Sequence, residues 1–313
     1  FYVEESYAIP WMYPYMRPFG VILKLEKDPV PSPQENPALW KEIVAKDKAY
    51  WDTLTQEFLA REEFRRNNDA KKSFSKMRSA IAGLYLARGL AVEAEYAFRQ
   101  SLDLCPESPE SCFRLANLYM QQRRFDDARK LMEGYRAIDP YNGNVTGFLN
   151  QIEDTVKNEK RRTELEKLAE KGTDLNTAME LLAVYGNLNM QGQFANLAAR
   201  LLQNANLPQQ AYMQLAQICG NARRPDLAAE TLKHFLAHDQ YNSRVWIELA
   251  FAQLSANQGK EAEASLKKAV AVGGDAARTF LRSDNRFGQL RQTPQFQALI
   301  QTASPMNLRS MQP

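Results

Sequence analysis

Residues 79–106, SAIAGLYLARGLAVEAEYAFRQSLDLCP, and residues 113–140, FRLANLYMQQRRFDDARKLMEGYRAIDP, decide the fold, because they are two copies of one pattern. Pro106 and Pro140 lie 34 residues apart, and a fixed period of that length marks stacked helical hairpins. In the first copy Ile81, Ala82, Tyr85, Gly89, Ala94, Phe98 and Pro106 fall on hydrophobic, small, aromatic, turn, small, aromatic and terminating positions. Leu115, Ala116, Tyr119, Ala128, Met132 and Pro140 repeat that order in the second. The spacing has a mechanical reason. Small residues such as Ala82 and Ala94 let two antiparallel helices approach, and Tyr85 and Phe98 fill the space beside them.

Working outward, Trp246, Leu249, Ala250, Ala262, Leu266 and Ala269 follow the pattern again, and Leu215, Ala216, Ala228 and Leu232 sit 34 residues before their equivalents. A weaker unit between Ala178 and Pro208 carries Val184, Leu188, Gly192 and Leu201 at corresponding offsets. The reading is all-α: a tetratricopeptide-repeat solenoid of antiparallel helix pairs with five repeats, two in 75–142 and three in 178–276, the third degenerate. Residues 143–177 form a degenerate helical unit whose charged run, Lys157 to Lys171, mixes signs at helical spacing, as Glu164 and Glu166 do with Lys167 and Glu170. Such a run marks a solvated face; a basic ligand stripe at Lys160, Arg161 and Arg162 is the alternative. Phe280, Leu281, Phe287, Leu290, Phe296 and Leu299 continue the period through 277–303 as a C-terminal cap, and 304–313 reads as a disordered tail.

The start differs in kind. Seven prolines from Pro10 to Pro37 alternate with Tyr2, Tyr7, Trp11, Tyr13, Tyr15 and Phe19, so 1–37 is an aromatic, proline-rich segment and linker. GVILKLE, from Gly20, reads as a short strand. Helical periodicity returns through Trp40, Ile43, Val44, Trp51, Leu54 and Phe58, giving N-terminal capping helices over 38–74. The aromatics have two readings: a platform that stacks sugars or extended peptides, with Trp11, Tyr13 and Tyr15 as candidates, or rings packed on the first helices or on a neighbouring domain.

Composition narrows the function. The 313 residues are 44% apolar, and 40 basic against 37 acidic side chains leave +3 with both signs interspersed, which names no nucleic-acid or anionic-lipid partner. Three cysteines, Cys105, Cys112 and Cys219, have neither CxxC spacing nor the density of a disulfide framework and read as buried thiols. No run of 18 apolar residues offers a membrane span. The chain begins at Phe1 without methionine and reads as a fragment or a processed product.

Reactive groups are sparse. His234 and His238 share one helix face, but no glutamate follows His234 and no third ligand is evident, so no metal is expected. Phosphate-binding glycine loops and GxSxG are missing, and Gly273 and Gly274 read as a helix end. We therefore assign no catalytic residues and no cofactor; the pattern is that of a scaffold that binds a protein or peptide. First helices of such repeats line a concave face, which nominates Phe113, Asn117, Met120, Gln121, Met213, Gln217, Ile247 and Phe251 as the ligand groove. Chaperone-binding repeats clamp a terminal carboxylate with Lys and Asn one turn apart; here Phe113 stands in the Lys position before Asn117, which disfavours that role.

FYVEESYAIPWMYPYMRPFGVILKLE, followed by WDTLTQEFL and SKMRSAIAGLYLARGLAVEAEYAFRQSLDLCPESPE, resembles the C-terminal soluble part of a bacterial family of multi-spanning membrane proteins related to protein O-mannosyltransferases. The resemblance covers Phe1 to about Pro109; the remainder is similar only as tetratricopeptide sequence. It implies repeats on the extracytoplasmic side, following the last membrane helix, with the membrane half as partner. The family's catalytic acidic residues belong to that half, so none is assigned here. A free-standing adaptor, cytoplasmic in that case, is the alternative, and a carbohydrate-binding or hydrolytic activity using the N-terminal aromatics is a third reading.

Overall fold

The computed structural model describes residues 1–3, 10–170, 174–203 and 207–301. The chain divides into two compact units, Phe1–Val156 and Lys157–Pro313. The expected tail at 304–313, together with Tyr7 and Lys171, lies outside the described residues.

The first unit contains the two repeats that open the sequence argument. Helix α3 (Asn68–Ala87) pairs with α4 (Ala91–Leu104), and α5 (Pro109–Gln121) with α6 (Phe125–Ile138). The chain reverses inside each hairpin on a left-handed residue, Gly89 (φ 75°) and Arg123 (φ 62°), 34 positions apart. The motif residues are the core. Ile81, Ala82, Ala94, Phe98, Ala116, Ala128 and Met132 are all fully buried. Ser108 caps α5, its hydroxyl accepting from the Ser111 amide, and Pro109 at the first turn carries no amide to satisfy.

Ahead of these hairpins lie α1 (Pro37–Ala60), capped by Asn36, and the short α2 (Glu62–Arg66). The expected boundary at 74/75 falls inside α3, whose first turn begins at Asn68. The aromatic segment forms an antiparallel sheet of β1 (Tyr2–Val3), β2 (Met16–Phe19) and β3 (Ile22–Leu25) in the order β1-β3-β2, with Met16 opposite Leu25. Gly20, at φ 60°, makes the turn between β2 and β3 and lies against the Tyr50 ring. The stretch from Pro29 to Pro37 was expected as extended linker; it has no regular structure until α1 begins but is pinned on both sides. The Val30 amide donates to the Pro14 carbonyl (2.8 Å), the Trp40 indole to Pro31 (2.7 Å) and the Trp51 indole to Gly20 (3.1 Å). Arg88, stacked over Trp40, donates to the carbonyls of Val30, Pro14 and Met16. Of these aromatics, Tyr13 packs against the first core, as does Met16.

Helix α7 (Gly143–Glu170) runs unbroken for 28 residues. A hairpin in phase with Arg123 would reverse at Lys157, and no left-handed residue stands there. Val145, Phe148, Leu149 and Ile152 enter the first core, and Leu165 the second.

The second unit stacks three hairpins among the described residues: α8 (Leu175–Asn187) with α9 (Gln191–Leu202), α10 (Gln209–Asn221) with α11 (Pro225–His238), and α12 (Ser243–Ser255) with α13 (Gly259–Ser283). They reverse at Asn189, Arg223 and Asn257, with φ of 53°, 58° and 60°, again 34 residues apart. Gly273 and Gly274 end the helical run that begins at Gly259. Gly274 breaks it at φ 53° and ψ −134°, after which helix resumes to Ser283. A side chain at Gly273 would collide with Ser243, so the pair is glycine for space as well as for conformation. Leu281, Phe287, Phe296 and Ile300, with the final α14 (Pro294–Ile300), close the apolar end. No described helix is long and apolar enough to cross a membrane.

Candidate functional site

In each hairpin the first helix presents a row of residues at i, i+4, i+7 and i+11, beginning thirteen positions before the left-handed turn residue. The row is Lys76, Ala80, Gly83, Ala87 in α3; Glu110, Arg114, Asn117, Gln121 in α5; Asn176, Glu180, Ala183, Asn187 in α8; Gln210, Gln214, Gln217, Asn221 in α10; and Arg244, Glu248, Phe251, Ser255 in α12.

Side chains of the chain itself reach positions in several of these rows. Arg114 lies over Gly83, where any Cβ would strike its guanidinium, and it bonds Glu110 (3.1 Å) and Ser79 (3.3 Å). Asn117 donates to the carbonyl of Phe113 one turn earlier (2.8 Å). On α8, Arg161 of α7 grips Glu180 with two bonds of 2.6 and 2.7 Å, and Asn187 meets Asn158. The stripe Lys160, Arg161, Arg162 therefore does not stand free: Arg161 and Arg162 are engaged with Glu180, Glu164, Glu159 and Glu166.

The α10 and α12 rows frame a groove of about 1060 Å³ in the second unit. Its floor is Met213, Ala216, Ala228, Leu232, Phe251 and Ala252. Gln210, Gln214, Gln217 and Asn221 line one wall, exposed and with no side-chain hydrogen-bond partner among the described residues. Arg223, Arg244, Glu248 and Arg286 supply the charge. Arg286 bridges Glu248 (2.6 Å) and Asp284 (2.7 Å) and stacks on the Phe251 ring, fixing that aromatic in the groove. Its hydrogen bonds hold the Asp284 carboxyl below the usual range, and the two carboxylates hold Arg286 firmly protonated. Arg244 lies 3.6 Å from Glu248 and over Phe280. Among the described residues Arg223 has no carboxylate partner.

Of the sequence candidates, Met213, Gln217 and Phe251 line this groove. Ile247 is corrected: at 1% exposure it is part of the apolar core under α12 and does not line the groove. Phe113 and Met120 are half-buried against the first core, Phe113 edge-on to Tyr135 and Phe148. Gln121 is exposed at the end of α5. Sequence reasoning missed Gln210, Gln214, Asn221, Arg223, Arg244, Glu248 and Arg286; the 34-residue offset joining Gln210 to Arg244 and Asn221 to Ser255 was the available signal. Near the N-terminus, Trp11 is 63% exposed and shares a cleft with Tyr15, Lys24, Glu26 and Lys27, whereas Tyr13 packs on the core.

His238 meets the Tyr212 hydroxyl (3.3 Å), His234 is exposed, and no group of three or more His, Cys, Asp or Glu among the described residues is placed to hold a metal. All three cysteines are buried and unpaired, and burial pushes the Cys112 and Cys219 thiols up to about 12.

Stacked antiparallel helix pairs with a small N-terminal sheet define an all-α helical-repeat protein of tetratricopeptide type, a fold that generally mediates binding to proteins or peptides. Residues 85–152 match the family model described as tetratricopeptide repeat. No curated protein matches the chain. Among solved structures, MamA is 15% identical, with 65% of this chain and 94% of that one covered and a TM-score of 0.27. The structure described as YrrB, a TPR protein with an unusual peptide-binding site, is 12% identical, covering 66% and 91%, at a TM-score of 0.28. A tetratricopeptide repeat protein from Parabacteroides merdae ATCC 43184 is 10% identical, covering 78% and 93%, at 0.30.

Proposed function

We propose that this chain is a non-catalytic scaffold that binds a peptide or a segment of a partner protein in the α10–α12 groove. The observation that carries this reading is that these two first-helix rows frame an open space with an apolar floor and polar walls, whereas Arg114 lies across Gly83 of the α3 row and Arg161 holds Glu180 of the α8 row. Met213 and Phe251 offer apolar anchorage, and Arg286 holds the Phe251 ring in one place. A display screen of random dodecapeptides against the chain and its Phe251→Ala variant tests this: peptides captured by the first should be lost with the second. Capture that survives Phe251→Ala, or no capture at all, removes the groove reading.

The resemblance of residues 1–109 supports a setting for the scaffold: the extracytoplasmic module of a membrane glycosyltransferase-like protein, presenting a polypeptide to the membrane half. Several apolar spans upstream of Phe1 in the complete reading frame would support it; a start codon close before Phe1 would favour a free-standing adaptor. The exposed Trp11 beside Tyr15 favours a second binding activity, for carbohydrate, which calorimetry with oligosaccharides and Trp11→Ala tests by loss of heat.

A further inference from the structure

We infer that the groove takes an extended, acidic polypeptide and reads it chiefly through its backbone, along the amide row of α10; this rests on the peptide-groove reading above. Gln210, Gln214, Gln217 and Asn221 are four carboxamides on one face of one helix, each exposed and without a side-chain partner among the described residues. A carboxamide offers a carbonyl acceptor and two N–H donors, the same groups that every peptide unit presents. Neighbours three or four apart on a helix stand roughly 5–6 Å from each other, close to the ~6.6 Å between like-facing peptide units of an extended chain. From Gln210 to Asn221 the row therefore runs about 16 Å, enough to accompany roughly five residues of extended polypeptide. A helical ligand would satisfy its own amides and leave this row unpaired.

The charge comes from the groove's remaining side chains. Arg244 and Arg286 pair with Glu248 and Asp284, but Arg223 has no carboxylate beside it among the described residues. It sits at the left-handed turn closing α10, two positions beyond Asn221, so an acidic side chain on a peptide following the row meets it. Backbone recognition makes the groove tolerant of sequence; Arg223 sets the preferred sign of charge.

The test is calorimetric titration of the full chain with four end-blocked decapeptides: alternating Glu and Thr, alternating Asp and Ser, alternating Lys and Thr, and the Glu/Thr peptide with backbone esters replacing alternate amides. The two acidic peptides should bind within about threefold of each other, and the basic one at least about tenfold more weakly, with salt eroding the difference. The ester analogue and the Gln214→Ala/Gln217→Ala double variant should each lose about tenfold. Arg223→Glu should abolish the preference for acid. All these positions are exposed, so an unchanged thermal midpoint shows the variants folded. Undiminished binding of the ester analogue, or by the double variant, overturns backbone reading. So does failure of both acidic peptides to bind. The groove reading survives either result if the random dodecapeptides are still captured in a Phe251-dependent way.

Discussion

Arg78 is the residue on which the first unit turns. Its guanidinium is 1% exposed, contacts Asp47 at 2.7 Å and Gln100 at 2.8 Å, and lies 5.1 Å from the Trp51 ring. The Tyr85 hydroxyl donates to the same Asp47 oxygen at 2.7 Å, and burial, with the Asp47 charge beside it, drives that phenol far above its ordinary range, so it acts as a donor only. The cluster joins α1, α3 and α4. Arg78→Leu leaves the carboxylate buried without its cation, a defect that costs about 3–5 kcal/mol. Urea unfolding should show that loss, and Asp47→Leu added to Arg78→Leu should restore much of it; a single-variant cost below about 1 kcal/mol would mean the pair is not the anchor it looks. None of this was legible in the sequence, where an arginine amid SKMRSAIAG reads as a surface residue and its partner lies 31 positions away. The cysteines were legible as buried thiols from their number and spacing. With the Cys112 and Cys219 thiols pushed up to about 12, almost no thiolate exists at pH 8, and a disulfide reagent should label them only after denaturant is added.

Helical hairpins are where sequence and structure agree most closely, because a repeated packing job leaves a repeated residue pattern. The small and aromatic positions could be read directly; the turns were half visible. Gly89 announces itself, but its equivalents are Arg123, Asn189, Arg223 and Asn257, which reach positive φ without glycine. Gly89→Ala should therefore cost about 1 kcal/mol in thermal unfolding, since alanine meets the αL penalty that glycine avoids. Which first-helix rows stay open could not be read at all. It depends on long side chains such as Arg114 and Arg161 crossing to a neighbouring helix, and one-dimensional spacing does not record where they land. The C-terminal element carries a pH signature. Arg286 depresses the Asp284 carboxyl, so its stabilisation is fully present above the ordinary carboxylate value near 3.9 and is lost as pH falls through the lower folded value. Asp284→Asn should lower the thermal midpoint at neutral pH, with the gap to the parent closing below about pH 4.

At the scale of the whole chain, α7 poses the sharpest question, since one helix serves two cores. Ile152, fully buried, packs with the first unit, and Leu165, 1% exposed, packs with the second, thirteen residues further along the same 28-residue helix. Stability in a stacked-repeat protein is a sum of local terms and nearest-neighbour interfaces, so a defect weakens the layers it touches before it weakens the rest. Truncating either side chain to alanine removes apolar contacts worth about 2–5 kcal/mol and leaves a cavity. Because the two substitutions share a helix and alanine favours helix at least as well as either side chain it replaces, only the cores they vacate differ. Hydrogen exchange read by mass spectrometry should then separate them. Ile152→Ala should speed exchange in α3 to α6 and spare α8 to α13; Leu165→Ala should do the reverse. Equal acceleration of both sets by either variant would show instead that the two compact units unfold as one cooperative body, with α7 transmitting the defect along its length.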